Sequence, residues 1–114
     1  MAELEVGRLL RIFVAEDDRW HGMPLYVAIV DRLRREGVAG ASVFRGEGGF
    51  GTHREIHAAK LFALAQKLPV VIEAVDDAAT LERVLPAIEE MVAEGLVTLE
   101  RVEYKRFAGR SPAS

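Results

Sequence analysis

The chain has 114 residues, half of them apolar, enough for one domain with a substantial core and too few for two ordinary domains. Its formal net charge of -3 argues against non-specific nucleic-acid binding, which needs a basic surface to displace counterions. With no cysteine there is no disulfide framework, no thiolate metal site and no cysteine nucleophile.

Residues 1–7 read as a loose lead-in and 107–114 as a frayed tail, which leaves one domain over 8–106 between flexible termini. The N-terminus carries early acidic residues and lacks the apolar core of a signal peptide. Nowhere does the chain reach the roughly eighteen apolar residues of a membrane span, so the expected location is the cytoplasm. LLRIFVA at 9–15 is an apolar run of strand length, ended by Glu16, Asp17 and Asp18. DRWHG at 18–22 makes a turn, and Pro24 suits the first turn of a helix over 23–36, with Leu25, Ala28, Ile29 and Leu33 on one face and Gly37 at its end. ASVFR at 41–45 is a short second strand.

A helix is expected from Thr52, with an apolar stripe of Leu61, Leu64, Ala65 and Leu68, and with His53, His57 and Lys60 on another face; Pro69 closes it. VVIEAV at 70–75 is the most strand-like run and belongs in the middle of a sheet. Asp76 or Asp77 caps a second long helix with Leu81, Val84, Leu85, Ile88, Met91 and Val92 inward, interrupted by Pro86 and stopped at Gly95. VTLERVEY at 97–104 alternates, with a slip at Glu100 and Arg101 that reads as a bulge. The order describes an α+β fold, a ferredoxin-like βαββαβ sandwich with a glycine-rich loop and short helix inserted between strands 2 and 3. Two helices cover one face of the sheet. The other face needs cover, and self-association is the simplest source.

Residues 42–60, SVFRGEGGFGTHREIHAAK, are the most informative stretch. Gly46, Gly48, Gly49 and Gly51 let the backbone approach a ligand closely. Thr52 and Glu55 then have the spacing of a capping box, and free N–H groups at such a helix start attract anions. Arg45, His53 and Arg54 add donors, opposed by Glu47 and Glu55. A phosphate or carboxylate ligand fits this chemistry, with a mobile glycine loop as the plainer reading. Gly46, Gly48 and Gly51 also satisfy a dinucleotide fingerprint, but a whole strand and helix precede it and too few strands follow. A P-loop fails because Thr52 and His53 stand where lysine and serine or threonine are needed. His53 and His57 have metal-ligand spacing if His21 or Glu55 joins them, although Lys60 on the same face repels a cation. Glu16, Asp17 and Asp18 are the candidate carboxylates for an enzyme, and no nucleophile and base pair accompanies them, so no catalytic residue is assigned. Trp20 and Phe50 suit either stacking on a base or sealing a subunit contact.

The runs GVAGASVFRGEGGFG, IHAAK, LPVVIEAVD and LPAIEEMVAEGLVTLERVEY resemble the PII-like family known as domain of unknown function 190, over about residues 9–104. The resemblance implies a homotrimer related to nitrogen-regulatory PII signalling proteins and to CutA proteins, which bind small ligands in clefts between subunits. The loop joining the second and third strands, here 46–67, lies beside those clefts. PII proteins also contact ATP through a glycine- and lysine-containing loop before the last strand; the corresponding EGLVT at 94–98 has no lysine, and 46–67 has no tyrosine for uridylylation. The resemblance therefore names a class of behaviour rather than one ligand or cofactor. The expected function is sensing of a small anionic ligand, a nucleotide or related metabolite, with Gly46, Gly48, Gly49, Phe50, Gly51, Thr52, His53 and Arg54 as backbone cradle. Arg45, Arg54, Lys60 and Arg101 are the charge partners, and a membrane transporter or an enzyme is the downstream target. A CutA-like metal protein using His53 and His57, or a small nucleotide-processing enzyme, is the alternative.

Overall fold

The computed structural model describes residues 3–49 and 68–109. Its elements run β1 Glu5–Ala15, β2 Arg19–Trp20, β3 Met23–Pro24, α1 Leu25–Arg35, β4 Ser42–Arg45, β5 Pro69–Asp76, α2 Ala78–Met91 and β6 Leu96–Tyr104. Strands β4, β5, β1 and β6 lie in that order in one sheet whose pairs are all antiparallel, the expected ferredoxin-like α+β arrangement. Strands β2 and β3 form a separate small ribbon.

The period of two along each strand separates the sheet faces. Leu10, Ile12 and Val14 of β1 and Val70, Ile72 and Ala74 of β5 are buried on one face. Onto it pack Leu25, Ala28, Ile29 and Leu33 of α1 and Leu81, Val84, Ile88 and Met91 of α2, spaced three and four apart so that each helix buries a single stripe. Each large side chain so buried is worth about 1.5–3 kcal/mol, making this layer the main favourable term.

Helix ends follow local chemistry. Gly37 takes a φ of 87° and donates to the Arg34 carbonyl at 3.2 Å, while Val38 donates to the Leu33 carbonyl at 3.1 Å, the paired closure that turns the chain off α1. Asp77 caps α2 by accepting from the Thr80 amide at 2.7 Å. The Thr80 backbone bond, then its side chain, then the charge of Arg83 hold the Asp77 carboxyl below its ordinary range. Pro86 sits inside α2 on its exposed side, so the helix tolerates a lost hydrogen bond because the opposite stripe is anchored in the core.

Four local expectations are corrected. The first strand begins at Glu5, because residues 5–8 continue the ladder with β6. The first helix begins at Leu25, since Met23 and Pro24 pair with Trp20 and Arg19 around a two-residue turn in which His21 has a φ of 47°. The second helix ends at Met91, short of Gly95. No bulge occurs at Glu100 and Arg101, whose register against Leu9 and Arg8 is continuous with its neighbours. The helix expected from Thr52 lies outside the described residues.

Ile72, fully buried in the core on β5, is the most direct test of this layer: Ile72→Ala should cost about 2–5 kcal/mol in urea unfolding. The Asp77 cap predicts a pH effect of defined sign. A carboxyl depressed in the folded state contributes stability above its unfolded pKa and loses it as pH falls through the folded one. Asp77→Asn keeps the cap and should flatten the acid limb of the melting-temperature profile; an unchanged acid limb would contradict the charge contribution.

Candidate functional site

Two sets of residues carry the chemistry. The first is at the end of the sheet from which residues 46–67 depart. Arg45, the last residue of β4, forms an ion pair with Glu16, just past the end of β1, across the intervening start of β5. The Glu16 amide donates to the Leu68 carbonyl at 2.8 Å, and the Gly46 amide donates to the Pro69 carbonyl at 2.7 Å. Gly46 is required by space, because a Cβ there would lie 2.7 Å from the Pro69 ring. Both chain ends of the glycine-rich segment are thus fastened to one edge. Asp18 is likewise occupied: its carboxylate accepts from the Ala15 amide at 2.9 Å and its carbonyl from the Leu25 amide at 2.7 Å. Glu16 and Asp18 therefore serve the local turn. Trp20 packs against the edge of the core and stacks on His21 with ring centroids 4.2 Å apart.

The second set forms a cleft of about 390 Å³ lined by residues 39–42, residues 73–75 and Arg106. Its origin is a mismatch in strand length. β4 begins pairing at Ser42 opposite Glu73, whereas β5 continues to Asp76, so Ala74 and Val75 have no partner in β4 and residues 39–41 pass beside the gap. Buried Asp76 fixes that passage by accepting from the Ala39 amide at 2.9 Å and from the Asp77 amide at 2.8 Å. The walls are small, Ala39, Gly40, Ala41 and Ala74, so a flat ligand can reach the backbone.

Three polar groups border the cleft. Ser42 offers a hydroxyl and Glu73, directly opposite it in register, a carboxylate. Arg106 donates to the Val75 carbonyl at 2.8 Å and lies 5.5 Å from the centre of the Tyr104 ring, which holds the guanidinium while leaving most of its five N–H donors for an anion. Glu73 Oε2 also accepts from Arg11 Nε at 2.9 Å, and Arg11 Nη1 reaches Glu100 Oε1 at 3.1 Å. The Glu73 hydrogen bond, opposed by desolvation and helped by the charges of Glu73 and Glu100, raises the Arg11 pKa.

The residues expected from the sequence are distributed unevenly. Arg45 is at the segment's base, paired with Glu16, and Gly46, Gly48 and Gly49 follow it; none of them lines the cleft. Arg101 is exposed on β6 opposite Arg8 and also lies away from the cleft. Phe50, Gly51, Thr52, His53, Arg54, His57 and Lys60 lie outside the described residues. Ser42, Glu73 and Arg106 line the cleft and are candidate site residues outside the ligand-binding set expected from the sequence. Glu73 has a visible signal, a lone charge interrupting an apolar strand.

Residues 7–104 match the family model described as DUF190, Uncharacterized ACR. The chain belongs to the DUF190 family. A UPF0166 protein of Aquifex aeolicus is 43% identical over 96 residues, covering 84% of this chain and 90% of that protein. A UPF0166 protein of Methanocaldococcus jannaschii is 37% identical over 94 residues, covering 82% and 86%. Among solved structures, CPII from Thiomonas intermedia K12, a nitrogen regulatory PII-like protein bound to ADP, AMP and bicarbonate, superposes with a TM-score of 0.68 at 17% identity, covering 91% of this chain and 100% of that one. A putative PII-like signalling protein from Thermus thermophilus gives 0.64 at 16% identity, covering 90% and 92%. At such identities the likeness shows that this DUF190 chain shares the PII-like fold. Among the described residues, no helix is long and apolar enough to cross a membrane.

The ion pair at the segment's base has a direct readout. Arg45→Ala should speed hydrogen exchange of the Glu16 and Gly46 amides by about two- to fivefold, the range expected for a partly exposed pair. Unchanged exchange would show that the backbone bonds alone hold the base.

Proposed function

We propose that this DUF190 chain is a PII-like sensor that binds an adenine nucleotide of the ADP or AMP class in the cleft between β4 and β5. The observation that carries this reading is the cleft itself: small walls that admit a flat ring, with an acceptor pair and an arginine at its border, on the fold of a nucleotide-bound protein. Glu73 and Ser42 accept from the exocyclic amino group of the adenine, and Arg106 meets the phosphate. The protein acts by binding rather than turnover, in the cytoplasm.

The active form is a homotrimer. The sheet buries one face under its helices and leaves the other with Phe44 and Leu96 more than half exposed, beside Phe13 and Val71. A single copy leaves that apolar surface in water, and a second and third copy remove it. The cradle expected from the sequence, Gly46 to Arg54, and its charge partners Arg45, Arg54, Lys60 or Arg101 belong to this reading as contacts supplied by a neighbouring subunit. Ligand then offsets part of the entropy of fixing the glycine-rich segment, and the fixed segment is what a transporter or enzyme target reads.

Two measurements test this. Native mass spectrometry should show a trimer carrying up to three nucleotides; a bare monomer overturns the assembly. In calorimetry Arg106→Ala should weaken ADP binding by about tenfold, the cost of one charge-assisted contact, with the trimer intact. Equal affinity in the variant removes Arg106 from the site.

A further inference from the structure

The open face of the sheet is not uniformly apolar. At its centre Arg11 divides its guanidinium between Glu73 on β5 and Glu100 on β6, one hydrogen bond to each, at 2.9 and 3.1 Å. Neither is the two-pronged pairing that makes an arginine and a carboxylate hard to separate. A guanidinium held by one single bond on each side, the stronger to Glu73, shifts toward Glu100 when Glu73 is engaged elsewhere. Glu73 is also the acidic wall of the cleft. Beside this network, Thr98 of β6 stands directly opposite Arg11 in register, and its Oγ1 is buried without a hydrogen-bond partner. An unmet buried hydroxyl next to a divided guanidinium is an acceptor waiting for a donor, which a shift of Arg11 toward β6 would supply.

We propose that Glu73 is shared between the cleft and the centre of the open face, so that a ligand donor engaging Glu73 hands Arg11 to Glu100 and Thr98. Occupancy of the cleft is thereby written as a change of hydrogen bonding across three strands, at the middle of the surface through which copies associate. This rests on the nucleotide-binding, self-associating reading given above. By reciprocity, a ligand that moves Arg11 changes the strength of assembly, and assembly changes ligand affinity by the same factor.

The test uses the full-length protein with ¹⁵N-labelled arginine, the Arg11 side-chain signals being assigned by their loss in Arg11→Lys. AMP is the probe, and its binding is measured in parallel by calorimetry. The Arg11 Nε signal should move in step with AMP occupancy, and Thr98→Val, which keeps the shape and removes the acceptor, should reduce that movement. If AMP binds and the Arg11 signal stays still, the coupling is overturned while the nucleotide site stands. If neither AMP nor ADP binds, the nucleotide reading fails and the coupling is judged without ligand. Glu73→Gln then imitates the withdrawn charge, and slow rotation of the Arg11 guanidinium should persist in that variant and vanish in Glu73→Gln with Glu100→Gln. Loss of slow rotation in Glu73→Gln alone overturns the hand-over to Glu100.

Discussion

The ladder between β1 and β5 is the constraint on which the other features rest. Its register sets Ile12 against Ile72 and Leu10 against Ala74 on the face the helices cover. The same register sets Arg11 against Glu73 on the face left open. A slip of one residue would exchange the two faces, placing a charged pair under the helices and the core aliphatics in water. The burial of Leu10, Ile12, Val70 and Ile72 makes that slip prohibitive. Core packing therefore positions the polar network at the sheet centre without any polar interaction having to do so.

β5 also organises the two candidate regions. Its first residue, Pro69, receives the Gly46 amide and sits between the ends of β1 and β4, where Arg45 and Glu16 meet. Its last residues outrun β4 and open the cleft. Ser42 and Arg45 are three residues apart on one short strand, about 10 Å at strand spacing, so the base of the glycine-rich segment and the cleft are joined by one element. That proximity is the physical basis for expecting ligand in the cleft to influence the segment.

Much of the fold is legible in the sequence because periodicity and end signals agree. The inward stripes of α1 and α2, the Gly37 stop, the Asp77 cap and the central place of β5 all follow from spacing and local chemistry. What the sequence hides depends on partners distant in the chain. Residues 5–8 look too polar and glycine-interrupted for a strand until β6 is there to pair with them. The two-residue ribbon at Trp20 and Met23 is masked by Pro24, which also suits a helix start. For the site, the glycines stand out because they are locally conspicuous, and Arg45 reads as a ligand contact because it borders them while its partner is far away in the chain. Its partner Glu16 is 29 positions away (45 − 16), and only the sheet brings them together. Ser42, Glu73 and Arg106 likewise border one cleft only through strand pairing and the path of the chain after β6.

The place where ligand binds is central to all of this, and photolabelling with an azido-adenine nucleotide followed by peptide mapping tests it most directly. Trypsin releases residues 36–45 as one peptide, which contains the cleft segment 39–42. A ligand seated in the cleft should leave label on that peptide, suppressed by excess ADP. Label confined to α2, or labelling that ADP does not suppress, would contradict a site between β4 and β5.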